Sequence, residues 1–275
     1  MTEERRTERR NPRASALASF STTEILELMN DEDAQVPAAV RAAIPEIAKA
    51  VEAIIATIAK GGHVLYVGAG TSGRLGVLDA SEAPPTFGVE PDLFHGIIAG
   101  GDAALRSSIE GAEDEEWAGR RDVAKALRTH DVIVGISASG RAPYVIGALE
   151  AGENVASTTI GITCNAGSAL ARAADIPIVI DVGPEVLAGS SRLKAGTATK
   201  LVLNMLSTAA MIRSGRTKGD LMIDLRATNT KLRERAVRIV RDETGVDEVR
   251  ARAALEANGW SVRRALAATE KRTAR

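Results

Sequence analysis

Five short apolar runs alternate with helical stretches along the middle of the chain, and this alternation limits the possible folds more than any other feature. Each run has the length of a β-strand: His63–Val67, Asp92–Ile98, Val132–Ile136, Thr158–Ile162 and Ile176–Ile180. Strands that alternate with helices form parallel sheets, because each helical crossover returns the chain to the same end of the sheet. The sequence therefore predicts an α/β fold with a doubly wound parallel five-stranded sheet.

The helices predicted between and after the strands are Arg74–Ser81, Asp102–Leu127, Pro143–Ala151, Ser168–Ala174 and Ala195–Ser214. Ahead of the sheet, Ser21 and Glu24 have the spacing of a capping box, which predicts a helix through Leu28. A longer helix is expected from about Val36 to Ala59. Charged residues and a proline interrupt its apolar face, so it is not predicted to span a membrane.

The pattern changes near the C-terminus, which divides the chain into two predicted domains. Residues 1–232 form the larger domain with an N-terminal helical extension, and residues 233–275 form a small bundle. The bundle's three short helical candidates, near Arg235–Asp242, Asp247–Ala257 and Val262–Lys271, have a spacing that resembles a UBA-like bundle. A helical brace packed on the main domain is an equally good interpretation.

Charge and cysteine content narrow the function classes. The formal net charge is −1, from 35 basic and 36 acidic residues, so no long-range field attracts nucleic acid or an anionic membrane. The expected partner is therefore a small molecule. Cys164 is the only cysteine, which excludes an internal disulfide, and the charged start of the chain lacks the apolar stretch of a signal peptide. These features predict a cytoplasmic protein.

Two serine-rich loops follow two of the predicted strands. The first contains Thr71-Ser72-Gly73-Arg74, and the second contains Ser137-Ala138-Ser139-Gly140-Arg141, sixty-seven positions later. Carboxyl ends of parallel strands meet at one edge of a sheet, where hydroxyls, backbone amides and helix N-termini bind phosphate. The sequence therefore predicts a phosphate monoester bound by Thr71, Ser72, Gly73, Ser137, Ser139, Gly140 and, with less support, Arg141.

The first loop by itself also matches the G-x-G-x-x-G pattern of dinucleotide-binding folds. That fold needs an acidic residue at the end of the second strand to bind the ribose. Here the second strand runs into Ala99-Gly100-Gly101, and Glu90 precedes it. A pyrophosphate also needs only one such loop, so the sequence disfavours a dinucleotide and predicts no cofactor.

The stretch Gly68–Gly88 resembles the signature of the N-acetylmuramic acid 6-phosphate etherase family, whose members have the SIS (sugar isomerase) fold. Further matching segments are Thr7–Pro12, Glu110–Asp114, Gly183–Leu187, Arg192–Lys200 and Thr228–Arg235. The resemblance implies release of D-lactate from carbon 3 of the sugar phosphate, which leaves N-acetylglucosamine 6-phosphate, in cell-wall amino-sugar recycling. Ala83 stands where many relatives have cysteine, and no histidine occurs in 170–200 to open the sugar ring.

The implied reaction needs two proton-transfer groups. A base removes the proton from the acetamido-bearing carbon, and an acid protonates the departing ether oxygen and later activates water. We predict Glu82 as the acid and Glu113 as the base, with the reverse assignment left open. Glu82 precedes Pro84-Pro85, which are predicted to end its helix. Without the family match, the acidic run around Glu113 is typical of a solvated face.

Other polar residues receive weaker assignments. Arg192 and Lys194 are candidate pocket cations, and surface positions are an equally good interpretation. His63, His95 and His130 do not have the spacing of a ligand cluster, so no metal site is predicted.

Two alternative functions share this fold: an SIS aldose-ketose isomerase, and a non-catalytic sugar-phosphate sensor resembling the regulatory proteins that bind glucokinase through duplicated SIS domains. The segment Asp79-Ala80-Ser81-Glu82 favours the etherase over the isomerase. The single SIS domain and the presence of both glutamates argue against the sensor. The SIS resemblance and the apolar N-terminal helices predict a homodimer with sites at or near the subunit contact.

Overall fold

The computed structural model describes residues 6–153, 155 and 158–273. Five parallel strands form one sheet in the order β2-β1-β3-β4-β5. They are β1 (Val64–Gly68), β2 (Phe94–Ile98), β3 (Val132–Ile136), β4 (Thr158–Thr163) and β5 (Ile176–Val179). Every residue of β1 and β3 is buried, as expected of central strands covered on both faces. The predicted fold class is confirmed.

The α-helices are α1 (Thr22–Asp33), α2 (Val36–Ala42), α3 (Ile44–Ala59), α4 (Gly70–Phe87), α5 (Glu116–Ala126), α6 (Pro143–Glu153), α7 (Ala169–Ala173), α8 (Lys194–Arg213), α9 (Thr230–Thr244), α10 (Glu248–Ala257) and α11 (Val262–Thr273). The predicted capping box at the start of α1 is confirmed, since Ser21 and Glu24 exchange side-chain to backbone hydrogen bonds.

Two long predicted helices are interrupted in the structure. The helix predicted over 36–59 is α2 followed by α3, because Pro45 lies in the first turn of a new helix, where its missing N–H costs nothing. The helix predicted over 102–127 is α-helical only in α5. Gly101 and Gly111, at φ of 67° and 76°, precede two short 3-10 turns that replace its first half.

The prediction that Pro84-Pro85 end their helix is wrong, because α4 continues to Phe87. The two prolines lie in its last turn, so only the two hydrogen bonds that their N–H groups would donate are lost. Gly88, at φ 64°, ends the helix and donates its N–H to the Pro84 carbonyl at 2.9 Å. Glu82 therefore lies inside the helix rather than at its end.

The chain divides into two compact units. One comprises Met1–Ser81 with Asp92–Ala210 and holds the sheet, and the other comprises Glu82–Pro91 with Met211–Arg275. The second unit has its own apolar core, built from α9, α10 and α11 around residues such as Val240 and Leu255. A UBA-like fold for this bundle and a domain boundary after residue 232 stay predictions. Among the described helices, none combines the length and the apolar character needed to cross a membrane.

Candidate functional site

The two serine-rich loops start side by side. Gly68, the last residue of β1, pairs with Ile136, the last residue of β3, so both loops leave the sheet at the same edge and level. They line a cavity of about 310 Å³ whose polar lining residues include Glu8, Thr71, Ser72, Glu113, Ser137 and Ser139. This volume is near the lower limit of ~300 Å³ for small-ligand pockets. The sheet topology thus brings four predicted phosphate ligands and one predicted catalytic residue together.

The first loop forms the N-terminus of α4, which begins at Gly70. The first N–H groups of a helix lack carbonyl partners within it and favour an anion. Gly73 contributes by packing, because a Cβ there would lie 2.6 Å from the Gly68 carbonyl oxygen. The absence of a side chain at Gly73 lets α4 start directly against β1, which presents Thr71 and Ser72 to the cavity.

The second loop is a tight turn stabilised by its own hydroxyls. Ser137 Oγ accepts a hydrogen bond from the Gly140 N–H at 3.1 Å and lies 3.3 Å from Ser139 Oγ. Gly140 has φ 66°, and a Cβ there would lie 2.2 Å from Ser168 Oγ. Gly140 is thus required by the backbone, and it holds Ser137 and Ser139 beside each other.

The Arg141 N–H donates to Ser139 Oγ at 3.3 Å, but Arg141 does not line the cavity of the serine-rich loops. It is exposed and lines a neighbouring cavity together with Arg6, Arg9 and Asn165, and Ser139 lines both cavities. The structure therefore does not bring Arg141 together with Ser72.

Glu113 lies on a short 3-10 turn, and Arg74 binds the segment that precedes this turn. The Arg74 side chain, from the first turns of α4, donates to the carbonyl oxygens of Leu105 at 3.3 Å and Ser107 at 3.2 Å. These residues belong to the segment that leads to Glu113, and Arg74 itself lines a second cavity with Glu113. The sequence analysis missed this role, although the recurrence of Ser-Gly-Arg in both loops pointed to the residue.

Glu82 follows Ser81 within α4. Ser81, which precedes it, is eleven residues beyond Gly70 in α4, which corresponds to about 16 Å along the axis. Glu82 is exposed and lines neither of the two cavities that Glu113 lines. The expectation that a sugar anchored at Ser72 reaches Glu82 stays a prediction.

Asp79 fixes α4 against the neighbouring elements. Its carboxylate accepts hydrogen bonds from Tyr66 Oη at 3.0 Å, Asn204 Nδ2 at 2.7 Å and Ser207 Oγ at 3.2 Å, which join β1, α4 and α8. Burial raises the pKa of Asp79 above its usual value, and these three hydrogen bonds oppose the shift. Asp79 is thus a structural residue of the helix that carries Glu82.

The two candidate cations do not line the cavity of the serine loops. Lys194 is 2% exposed, and its Nζ donates to Glu32 Oε2 at 2.5 Å. Glu185 accepts the backbone N–H groups of Lys194 and Ala195 at the start of α8, both at 3.0 Å. Arg192 is a surface residue. Lys194 therefore has a structural ion pair, which is a common fate of a buried charge.

Two family models match the chain. One is described as the glucokinase regulatory protein N-terminal SIS domain and matches residues 46–153. The other is the SIS domain and matches residues 113–209.

Curated relatives are similar to almost the whole chain. N-acetylmuramic acid 6-phosphate etherase 2 from Vibrio parahaemolyticus is 54% identical over 252 residues, which cover 91% of this chain and 84% of the relative. N-acetylmuramic acid 6-phosphate etherase from Streptomyces avermitilis is 53% identical over 94% of this chain and 84% of its own length.

Among solved structures, a phosphoheptose isomerase from Francisella tularensis superposes with a TM-score of 0.57 at 20% identity, over 70% of this chain and 100% of its own. At this identity the likeness concerns the fold alone.

Proposed function

We infer that this chain, which belongs to the N-acetylmuramic acid 6-phosphate etherase family, is a lyase that cleaves the lactyl ether of N-acetylmuramic acid 6-phosphate. The cleavage is an elimination that releases D-lactate, and hydration of the elimination product gives N-acetylglucosamine 6-phosphate. This reaction belongs to amino-sugar recycling. The observation that carries this conclusion is identity of about 50% with curated etherases over more than nine-tenths of the chain. The isomerases among the solved structures share the fold at about 20% identity, which does not extend to the reaction.

The test of this function is release of lactate by the purified protein from N-acetylmuramic acid 6-phosphate. Lactate is measured with D-lactate dehydrogenase, and the sugar product is followed by NMR. We expect equal amounts of D-lactate and N-acetylglucosamine 6-phosphate. A ketose 6-phosphate would identify an isomerase, and tight binding without turnover would identify a sensor.

The phosphate of the substrate is proposed to bind between the two serine-rich loops. Three features support this position: the hydroxyls of Ser72, Ser137 and Ser139 line one cavity, the N-terminus of α4 opens on it, and both loops leave the sheet at one level. Thr71 lines the same cavity and adds a fourth hydroxyl. The sugar then extends from the phosphate toward Glu113.

Ser72→Ala, Ser137→Ala and Ser139→Ala are each expected to weaken binding of N-acetylglucosamine 6-phosphate. A hydrogen bond to a charged group contributes ~1.5–3 kcal/mol, which corresponds to roughly ten- to a hundredfold in affinity. Titration calorimetry with the product measures the change, and Ser15→Ala, at an exposed serine that does not line the cavity of the serine-rich loops, is the control. Unchanged affinity in all three variants would show that the phosphate binds at another site.

Glu113 is proposed to act as the base at carbon 2 of the open-chain sugar. The adjacent aldehyde acidifies the C2 proton, and its removal leaves an enolate that expels the ether oxygen from C3. The carboxylate of Glu113 lines the cavity of both serine-rich loops, which supports a position next to a sugar anchored there. After hydration the same group returns a proton to C2.

Glu82 is proposed to act on a substrate bound by a second copy of the chain. Within its own chain, Glu82 is exposed and lines neither of the two cavities that Glu113 lines. A homodimer with twofold symmetry brings the same residue to the partner's site. Glu82 then protonates the departing lactyl oxygen, and its carboxylate takes a proton from the water that adds to C3.

Exposed apolar side chains support a subunit contact. Trp117 is 74% exposed on α5, close in sequence to Glu113, and Leu78 is 49% exposed one turn before Glu82 on α4. Large aromatic and aliphatic side chains of this kind are typical of buried interface cores. The proposed assembly is a homodimer, and the proposed location is the cytoplasm, where recycled amino-sugar phosphates are metabolised.

A further inference from the structure

Opening of the pyranose ring is the step for which the two glutamates above provide no group. The proton on C2 becomes acidic only in the open-chain aldehyde, so ring opening must precede elimination. Opening requires transfer of the proton from the C1 hydroxyl to the ring oxygen. C1 is bonded to the carbon on which Glu113 acts, so we look for the missing group in the cavity that Glu113 shares with the two serine-rich loops. Glu113 also lines a second cavity with Glu110, whose carboxylate accepts a hydrogen bond from Ser108.

We propose that Glu8 is the catalytic residue that opens the sugar ring, an inference that rests on the proposed function. Of the described residues that line the cavity of the serine-rich loops, Glu8 and Glu113 are the two with an ionisable side chain, and the other polar groups are hydroxyls of serine and threonine. A carboxylate accepts and returns a proton near neutral pH, whereas these hydroxyls do not. Glu113 is already assigned to carbon 2.

The carboxylate of Glu8 is free to act. Among the described residues, none donates a hydrogen bond or forms an ion pair with it, and the side chain is exposed to the cavity and solvent. By contrast, Glu32 is bound by Lys194 and Glu185 by two backbone amides. Those two carboxylates stabilise the fold, whereas Glu8 has no partner of this kind within the part of the chain that the structure describes.

The position of Glu8 is set by the loop that binds phosphate. Thr7 is 2% exposed, and its Oγ1 accepts a hydrogen bond from Asn165 Nδ2 at 3.1 Å. The same Asn165 amide donates to the carbonyl oxygen of Ala138, between Ser137 and Ser139, at 2.9 Å. One buried amide therefore ties the segment that carries Glu8 to the second serine-rich loop.

A second contact leaves room for the Glu8 side chain. Glu8 Oε2 lies 3.4 Å from the point that a Cβ of Gly189 would occupy, and Gly189 has φ 78°. Gly189 and Ser191 line the same cavity as Glu8. Because Gly189 has no side chain, it lies beside the Glu8 carboxylate and leaves that carboxylate open to the cavity.

Ring opening by Glu8 consumes and releases no net proton. Glu8 takes the proton from the C1 hydroxyl as the C1–O5 bond breaks and the C1 carbonyl forms. Glu8 then gives the same proton to O5, which becomes the C5 hydroxyl. The carboxylate is regenerated, and no oxidant, metal or further reactant is required.

The test measures ring opening without elimination. N-acetylglucosamine 6-phosphate has no lactyl ether, so its α and β anomers interconvert only through the open chain. Magnetisation transfer between the two anomeric protons gives the interconversion rate at each enzyme concentration. We expect the wild-type protein to accelerate this rate, and Glu8→Gln to lose at least ~10²-fold of the acceleration, the usual scale of general acid-base catalysis.

Two further variants separate catalysis from folding. Glu27→Gln, in an exposed glutamate of α1, is the matched control and should keep the full anomer exchange rate. Thr7→Val removes the acceptor for Asn165 at equal size and should reduce the rate less than Glu8→Gln does. Glu8→Gln should still bind the product, because the phosphate ligands are intact, so a loss of anomer exchange is not a loss of binding.

Two outcomes would overturn the proposal: wild-type protein that does not accelerate anomer exchange, or Glu8→Gln that accelerates it as strongly as the wild type. Both are separate from the test of the proposed function. Lactate release by wild-type protein together with undiminished exchange in Glu8→Gln would remove Glu8 and leave the etherase reaction standing. Anomer exchange that depends on Glu8, observed without lactate release, would support Glu8 as the ring-opening residue and contradict the etherase reaction.

Discussion

Glu113→Gln is expected to abolish lactate release and, together with it, exchange of the C2 proton with solvent deuterium. The amide cannot accept the proton, so neither the enolate nor the elimination product forms. Loss of at least ~10²-fold is the scale of general acid-base catalysis. Glu82→Gln should lose lactate release to a similar extent but retain exchange, because C2 deprotonation precedes departure of the ether oxygen and uses a different group.

The measurement is incubation of N-acetylmuramic acid 6-phosphate in deuterium oxide with each variant, followed by NMR of the sugar and a lactate assay. Glu115→Gln is the control, since Glu115 is an exposed acid two residues beyond Glu113 and its side chain makes no capping hydrogen bond. Full lactate release by both variants would exclude the two carboxylates from the mechanism. Exchange that survives only in Glu113→Gln would reverse their roles.

Mixing the two inactive variants is expected to restore activity. If Glu113 of one copy acts with Glu82 of the other, a heterodimer of Glu82→Gln and Glu113→Gln contains one site in which both glutamates are intact. One of the two sites of each mixed dimer is intact, so purified mixed dimers should recover about half of wild-type activity in a twofold-symmetric assembly. If both glutamates came from the same copy, no mixed dimer would contain an intact site.

The experiment uses coexpression of the two variants with different affinity tags, so that mixed dimers are purified and their lactate release is compared with that of each parent. The control is coexpression of Glu82→Gln with the double variant Glu82→Gln/Glu113→Gln, a pairing that leaves no site intact in either arrangement. Mixed dimers as inactive as the parents would contradict the shared site. An active monomer in sedimentation at assay concentration would exclude the dimer itself.

The predicted sheet is confirmed, because a β-strand is indicated by the residues of the strand itself. The run Val132–Ile136 is apolar throughout, and β3 has those same bounds. The two serine-rich loops were found in the same way, since their residues are contiguous and parallel topology alone brings their strand ends to one edge. Glu113 was chosen from the family resemblance rather than from its own acidic run.

Helix lengths were less predictable, and this changed the interpretation of the site. Pro84 and Pro85 normally mark a helix end, but in a last turn their cost is limited to two hydrogen bonds, so packing carries α4 through them. The positive φ angles of Gly101 and Gly111 break the segment before α5, although glycine in sequence does not by itself specify such a break. These two differences decide where Glu82 and Glu113 lie.

By itself, the sequence determined the fold class, the position of the two serine-rich loops and the family, because apolar periodicity, glycine-serine turns and extended similarity are properties of neighbouring residues. Only the tertiary structure decided that Lys194 pairs with Glu32, 162 positions away, and that Asn165 joins Thr7 to the second loop across 158 positions. Such contacts depend on how distant elements pack, and no local pattern encodes them. For the same reason Glu8 became a candidate only when the structure brought its segment to the cavity that Glu113 lines.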